Sequence, residues 1–179
     1  GEQLYFDSVG HSNPSLADIL KMTHPKPTTK VQNAVFGYIL GKEYDSRSLP
    51  KTVKQLEKFK KDNTETLPDV PFRVLTNCNL TKEHWKELAE NMRWNTLRMN
   101  LNMLERNEVF KDTSLTKKLA SKLGDRAEVK KNNVFPYQLM TTFQNIKGVP
   151  QTVANALQDA LEYATENVPE LTKRLAVCV

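Results

Sequence analysis

The sequence predicts an all-α protein of short helices joined by short loops. Three observations carry that reading. Apolar residues recur at helical spacing, i, i+3, i+4 and i+7, through most of the chain. Glycine is sparse, with six in 179 residues. The nine prolines fall between the periodic segments, not inside them, where a residue without an N–H would break the hydrogen-bond ladder. Short loops imply antiparallel neighbours, and stacked pairs of this kind build a curved solenoid or a compact bundle. No strict internal repeat is present, so periodicity leaves those two open.

The first helix follows Asn13-Pro14-Ser15, carries Leu16, Ile19 and Leu20, and stops at His24-Pro25-Lys26-Pro27. A second carries Val31, Ala34, Val35, Tyr38 and Ile39 and ends near Gly41. A third opens at Pro50, with Ser48 as a candidate cap, and buries Val53, Leu56 and Phe59. Residues 62–69 read as a polar loop, followed by a short helix with Phe72, Val74 and Leu75. Thr81 caps the next, whose apolar face is Trp85, Leu88, Ala89 and Met92. One helix over 94–105 is expected from Trp94, Leu97, Leu101 and Leu104. Leu115, Leu119 and Leu123 mark a helix closing at Gly124, read as a C′ glycine, and Asp125 and Glu128 have capping-box spacing. Pro136 opens a helix running through Phe143 and Ile146 to Gly148. Pro150 opens the last, with Val153, Ala156, Leu157, Ala160, Leu161 and Ala164 on one face. The run Leu175-Ala176-Val177-Cys178-Val179 breaks the pattern and reads as a buried strand. It has no partner strand before it, so a second domain is expected to begin there.

Composition narrows the function. Hydrophobic residues at 39% and charged ones at 26% suit a globular chain with a buried core. No apolar run approaches the roughly 20 residues of a membrane helix, and no signal peptide opens the chain. Cys78 and Cys178 are far apart with no CxxC pair, so they read as free thiols in a reducing, cytoplasmic setting. The net charge of +5 and pI near 9.1 permit a polyanionic partner without requiring one. GxSxG, HExxH, the P-loop, GxGxxG and acidic metal motifs are all missing, and His11, His24 and His84 have no ligand spacing. The expectation is a non-enzyme without metal or cofactor.

Three polar groups are candidates for binding. Lys51, Lys54, Lys58, Lys60 and Lys61 share a helix with Glu57 and form either a solvated face or a phosphate-contacting one. Lys21, His24, Lys26 and Lys30 cluster at a helix end and the following loop, which two prolines stiffen. His24 there either caps the helix C-terminus or meets RNA. Arg98, Asn100 and Asn102 alternate with apolar residues, and helical spacing puts Asn102 on the same side as Arg98. Such groups hydrogen-bond base edges or link one helix layer to the next. Tyr38, Trp94 and Tyr137 offer rings for stacking but also fit core positions.

SLADILKMTHPKP at 15–27, LPDVPFRVLTNCNLTKEHWKELAENMRWNTLRMNLNMLERNEVF at 67–110 and NVFPYQLMTTFQ at 133–144 resemble the TROVE module of the Ro autoantigen family, particularly its bacterial branch. The resemblance runs from about Asn13 to the C-terminus. It implies a ring of HEAT-like helical repeats that binds single-stranded ends of misfolded or unprocessed noncoding RNA in its hole and Y RNA on its outer surface. It implies a place in RNA quality control alongside an exoribonuclease. His24, within Met22–Pro27, falls on a histidine of the Y RNA site, whereas Asp7 and His11 do not match the basic residues that accompany it in vertebrate members. The implied organisation is an N-terminal tail at 1–12, the C-terminal part of the module at 13–170, and the start of a von Willebrand factor A-like domain at 171–179. That domain's Asp-x-Ser-x-Ser metal motif does not occur in these residues, and a second chain or a longer precursor would complete the ring. The opening Glu2–Ser8 is similar to a protease-cleavage tag and carries no functional reading. The leading expectation is therefore a Ro-type RNA-binding protein, and its rival is a helical-repeat scaffold for protein–protein contacts.

Overall fold

The computed structural model describes residues 14–62 and 66–169. The described residues form eleven α-helices and no strand, an all-α fold. They are α1 Leu16–Thr23, α2 Lys30–Leu40, α3 Lys51–Asp62, α4 Phe72–Leu75, α5 Lys82–Asn91, α6 Trp94–Met99, α7 Leu101–Arg106, α8 Thr113–Leu123, α9 Arg126–Lys131, α10 Pro136–Asn145 and α11 Gln151–Ala164. Single 3₁₀ turns lie at Ser46–Ser48, Val109–Lys111 and Thr165–Asn167. The 1–12 tail, the strand expected over 175–179 and the 171–179 boundary lie outside the described residues. The chain forms two compact units, Gly1–His84 and Trp85–Val179, and the division falls within α5.

In the first unit, α1 opens on a reciprocal cap. Ser15 Oγ accepts from the Asp18 N–H at 3.1 Å, and the Asp18 carboxylate accepts from the Ser15 N–H at 3.1 Å. The Ser15 hydroxyl also donates to that carboxylate and holds it below its ordinary pKa. α1 ends at His24, whose backbone is left-handed (φ 44°, ψ 50°) and whose N–H donates to Leu20 O. Thr29 caps α2, and Gly41 at φ 63° ends it. Within α2, a Cβ on Gly37 would stand 2.8 Å from the Tyr44 Cβ and 3.0 Å from Glu43 O. Glycine there lets the 43–44 segment lie directly on the helix.

Asp45 then caps the 46–48 turn, accepting from the Arg47 N–H and the Ser48 hydroxyl. Ser48 is thus not the α3 cap that its position suggested. Its hydroxyl donates to Asp45, and Pro50 is the residue that precedes the helix, its O accepting from the Lys54 N–H, so Ser48 lies two residues too early. Val53, Leu56 and Phe59 face inward from α3, and the core gathers Ala34, Val35, Leu49, Val53, Leu56 and Val74. Truncating the fully buried Leu56 to alanine carries the usual core cost of about 2–5 kcal/mol. Thr81 caps α5 as expected, but its partner is unusual. Thr81 Oγ1 accepts from the His84 N–H, and the Thr81 N–H donates to His84 Nδ1, both at 3.2 Å. The imidazole occupies the place Glu or Gln holds in an ordinary capping box. It is buried, with its ring centroid 5.2 Å from that of Phe59.

In the second unit the single helix expected over 94–105 is two. Asn100 divides α6 from α7. Its side-chain Nδ2 donates to Thr96 O at 2.7 Å, the carbonyl that its own backbone N–H would take in a continuous helix. That N–H bonds instead to Leu97 O at 3.1 Å, and the ladder tightens and stops. Leu97, Leu101 and Leu104 remain buried across the break. α11 is the organising helix: Val153, Ala156, Leu157, Ala160 and Ala164 are buried, and it packs on α8, α9 and α10. Trp94 is buried in the core, its Nε1 donating to Leu123 O at the end of α8 at 3.1 Å. Gly124 does follow α8, but at φ −84° and ψ 8° it is not the left-handed C′ residue expected. Asp125 caps α9 at once, accepting from the Ala127 and Glu128 N–H groups, so the chain turns without a left-handed step. Pro136 takes the first position of α10, which ends at Asn145, and Ile146 is already extended.

Candidate nucleic-acid interface

Lys21, His24, Lys26 and Lys30 occupy the last turn of α1, the α1–α2 connection and the first residue of α2, and all four are exposed. None of their side chains has a hydrogen bond or salt bridge among the described residues. His24 does cap α1, but with its backbone N–H, so the cap leaves the imidazole uncommitted. Pro25 and Pro27 fix the φ angles of the connection. The structure thus holds this cluster at the end of a capped helix on a stiffened loop.

One α3 lysine, Lys54, shares a carboxylate with Lys30 of this cluster. The Asp45 carboxyl lies below its ordinary pKa, first through the Ser48 hydroxyl and the Arg47 N–H, then through the charges of Lys54 and Lys30. Lys30 from the first cluster and Lys54 from the second therefore both act on one carboxylate. Lys51, Lys54, Lys58, Lys60 and Lys61 are all exposed. Lys60 pairs with Glu57 at 2.8 Å, and Lys54 Nζ donates to Arg47 O at 2.7 Å. Burial pushes the Glu57 carboxyl up, but hydrogen bonds from Lys60 and Tyr38 and the Lys60 and Lys61 charges bring it below its ordinary value.

Residues 14–62 carry ten Lys and Arg against five Asp and Glu, which equals the +5 of the whole chain. The rest of the sequence holds sixteen of each sign. By unit the charge is more even, 12 Lys and Arg against 10 Asp and Glu over residues 1–84 and 14 against 11 over residues 85–179, so the excess is local to this segment. The α3 lysines, already candidates by sequence, lie within it.

Arg98, Asn100 and Asn102 sit differently. Arg98 Nη1 donates to Gln138 O at 3.0 Å and Thr142 Oγ1 at 2.6 Å, and its guanidinium lies 6.0 Å from the Trp94 ring. Burial pulls its pKa below the ordinary value, and its Nε is buried without a partner among the described residues. Asn102 Nδ2 donates to Asn145 O at 2.8 Å, and its Oδ1 accepts from the Lys147 N–H at 2.9 Å. Arg98 and Asn102 line one open groove of about 260 Å³ with Thr141, Thr142 and Asn145, whereas the Asn100 amide turns back onto α6. The amide of Asn102 ties α7 to the end of α10, and reading a base edge would require it to release both bonds.

The three rings also separate. Trp94 is core, and Tyr38 donates its hydroxyl to Glu57 Oε1 at 2.6 Å. Tyr137 is exposed on α10 although its spacing fits a core position, and it stacks on Phe135 at 6.3 Å between centroids. Met140 and Phe143 are exposed on the same helix. Among the described residues no three His, Cys, Asp or Glu side chains gather as a metal site, and no helix is long and apolar enough to cross a membrane. Cys78 is half-buried, and that burial pushes its thiol pKa up.

No family model matches the chain, and comparisons with curated proteins and with solved structures give no match.

Proposed function

We infer that the chain binds single-stranded noncoding RNA, and that it does so through the basic side of its first unit. One observation carries this reading: residues 14–62 carry ten Lys and Arg against five Asp and Glu, all ten cations on exposed side chains, many of them with no hydrogen bond or salt bridge among the described residues. Clustered cations release condensed counterions from a phosphate chain, which is the main sequence-independent source of affinity for nucleic acid. The Ro-type strings at 15–27, 67–110 and 133–144 agree with it and supply the finer statement. On that statement the helices are HEAT-like repeats of a ring. Its ligands are single-stranded RNA ends and Y RNA, its setting is cytoplasmic RNA quality control with an exoribonuclease, and its role is binding without catalysis.

The test is binding to a labelled single-stranded RNA at several salt concentrations. Each phosphate contact contributes about −0.7 to the slope of log affinity against log salt, so three to five contacts give about −2 to −3.5. Replacing Lys21, His24 and Lys26 together by alanine should weaken binding with helix content unchanged. Affinity that does not respond to salt or to that triple variant would overturn the reading.

A scaffold for another protein is the second reading, and the exposed Tyr137, Met140 and Phe143 on α10 favour it for the second unit. Loss of partner capture on mutating these three, with no salt-sensitive RNA binding in the parent, would select it.

A further inference from the structure

The first unit contains a groove that the candidate cluster does not use. It lies between the 44–49 segment and α3 and has a volume of about 330 Å³. That is within the roughly 300–1,000 Å³ of small-molecule sites. Tyr44 and Leu49 supply apolar wall, and Lys54, Lys58 and Lys61 line the α3 side. The three lysines are spaced i, i+4 and i+7, which places them in one row along the helix.

Neighbouring contacts hold the Tyr44 wall and Lys54 in place. Tyr44 is 41% exposed, so part of its ring faces solvent. It packs edge-to-face on Tyr38, with centroids 5.7 Å apart at 88°, and Gly37 lets its Cβ sit against α2. The acidic groups nearby are largely occupied. Glu57 is bound by Lys60 and Tyr38, and Asp45 by Arg47 and Ser48. Lys54 is held at the 46–48 turn by its bond to Arg47 O. Lys58 and Lys61 have no hydrogen bond or salt bridge among the described residues, and Asp62 is the remaining carboxylate on the lining. A positioned aromatic ring beside two ammonium groups, those of Lys58 and Lys61, without such bonds is the combination that binds single strands without reading their sequence: a base stacks and phosphates follow the charge.

We propose that this groove is a nucleotide site for single-stranded RNA, in which Tyr44 stacks on a base and Lys58 and Lys61 meet the flanking phosphates. It rests on the RNA-binding reading and adds a second contact surface to the α1–α2 cluster. Duplex RNA, with its bases already stacked, should not use it.

The experiment uses the full chain with a fluorescently labelled oligouridine, single-stranded or annealed to its complement. Tyr44→Ala should lower affinity for the single strand roughly 5- to 150-fold, while Tyr44→Phe binds as the parent. Lys58→Ala with Lys61→Ala should flatten the salt slope by about 1.4. Photocrosslinking the parent to the same strand carrying 5-iodouridine, followed by peptide mapping, should mark Tyr44. This arm keeps the proposal testable if Tyr44→Ala fails to fold. Parental affinity and slope in these variants, or crosslinks confined to other peptides, would reject the groove while leaving RNA binding intact. Absence of salt-sensitive binding in the parent would remove both readings together.

Discussion

Asn102 separates a structural amide from a base-reading one. Replacing it by alanine removes the bond to Asn145 O at 2.8 Å and the bond from the Lys147 N–H at 2.9 Å. Each such bond contributes about 0.5–1.5 kcal/mol net, and both lie near solvent, where water replaces part of the loss, so the expected cost is about 1–2 kcal/mol. With a urea slope of about 2 kcal/mol/M, the unfolding midpoint should fall by roughly 0.5–1 M. Asn102→Asp sharpens the test: it keeps the acceptor for Lys147 but sets a carboxylate oxygen against Asn145 O. That variant should lose at least as much stability as alanine despite retaining one bond. Hydrogen exchange gives the local readout, since the Lys147 amide should lose protection in Asn102→Ala and keep it in Asn102→Asp. RNA affinity in both variants should change equally for all sequences, or not at all. An alanine variant with the parental midpoint and a loss confined to certain RNA sequences would refute the clamp and return Asn102 to base recognition.

Three further outcomes are expected. Thr81→Ala should destabilise by about 1 kcal/mol, the usual cost of an N-cap, and Thr81→Ser should restore most of it in urea unfolding. Gly37→Ala brings a Cβ to 2.8 Å from the Tyr44 Cβ, so it should cost about 1–3 kcal/mol despite alanine's better helix propensity, with a changed Tyr44 environment in aromatic NMR spectra. Glu57 has a folded pKa below its ordinary 4.5, so the folded state binds its proton less readily than the unfolded chain does. Its contribution is therefore present above about pH 4.5 and lost as pH falls through the lower folded value, and unfolding curves of Glu57→Gln should show less acid dependence there than the parent's.

Much of the fold was legible because strong local signals agreed. Ser15, Thr81 and Asp125 each cap the helix that follows, and Pro25 and Pro136 mark an end and a start. Three of the misreadings involve short polar side chains that make local hydrogen bonds the apolar pattern does not record. Asn100 takes a carbonyl from its own helix, Asp45 takes the hydroxyl of Ser48, and Asp125 makes a left-handed Gly124 unnecessary. Apolar periodicity cannot register such trades, because Leu97 and Leu101 stay buried on either side of the break. The candidate site was only half legible for a related reason. Sequence shows that a side chain can donate, but not whether its donors are already spent.

That distinction orders the candidate residues. Arg98 and Asn102 have the chemistry of recognition, yet Arg98 Nη1 and both ends of the Asn102 amide hold α10 in place. Their contribution to any RNA contact would come after breaking bonds worth about 1 kcal/mol each. Lys21, His24, Lys26, Lys30, Lys58 and Lys61 are exposed and have no such bond to break among the described residues. An exposed lysine loses little protein contact when it meets a phosphate, and it gains the entropy of released counterions. Binding through these residues should therefore be strongly dependent on salt and weakly dependent on sequence. Selectivity would then come from the state of the RNA, because a single strand offers unstacked bases to Tyr44 and a duplex does not.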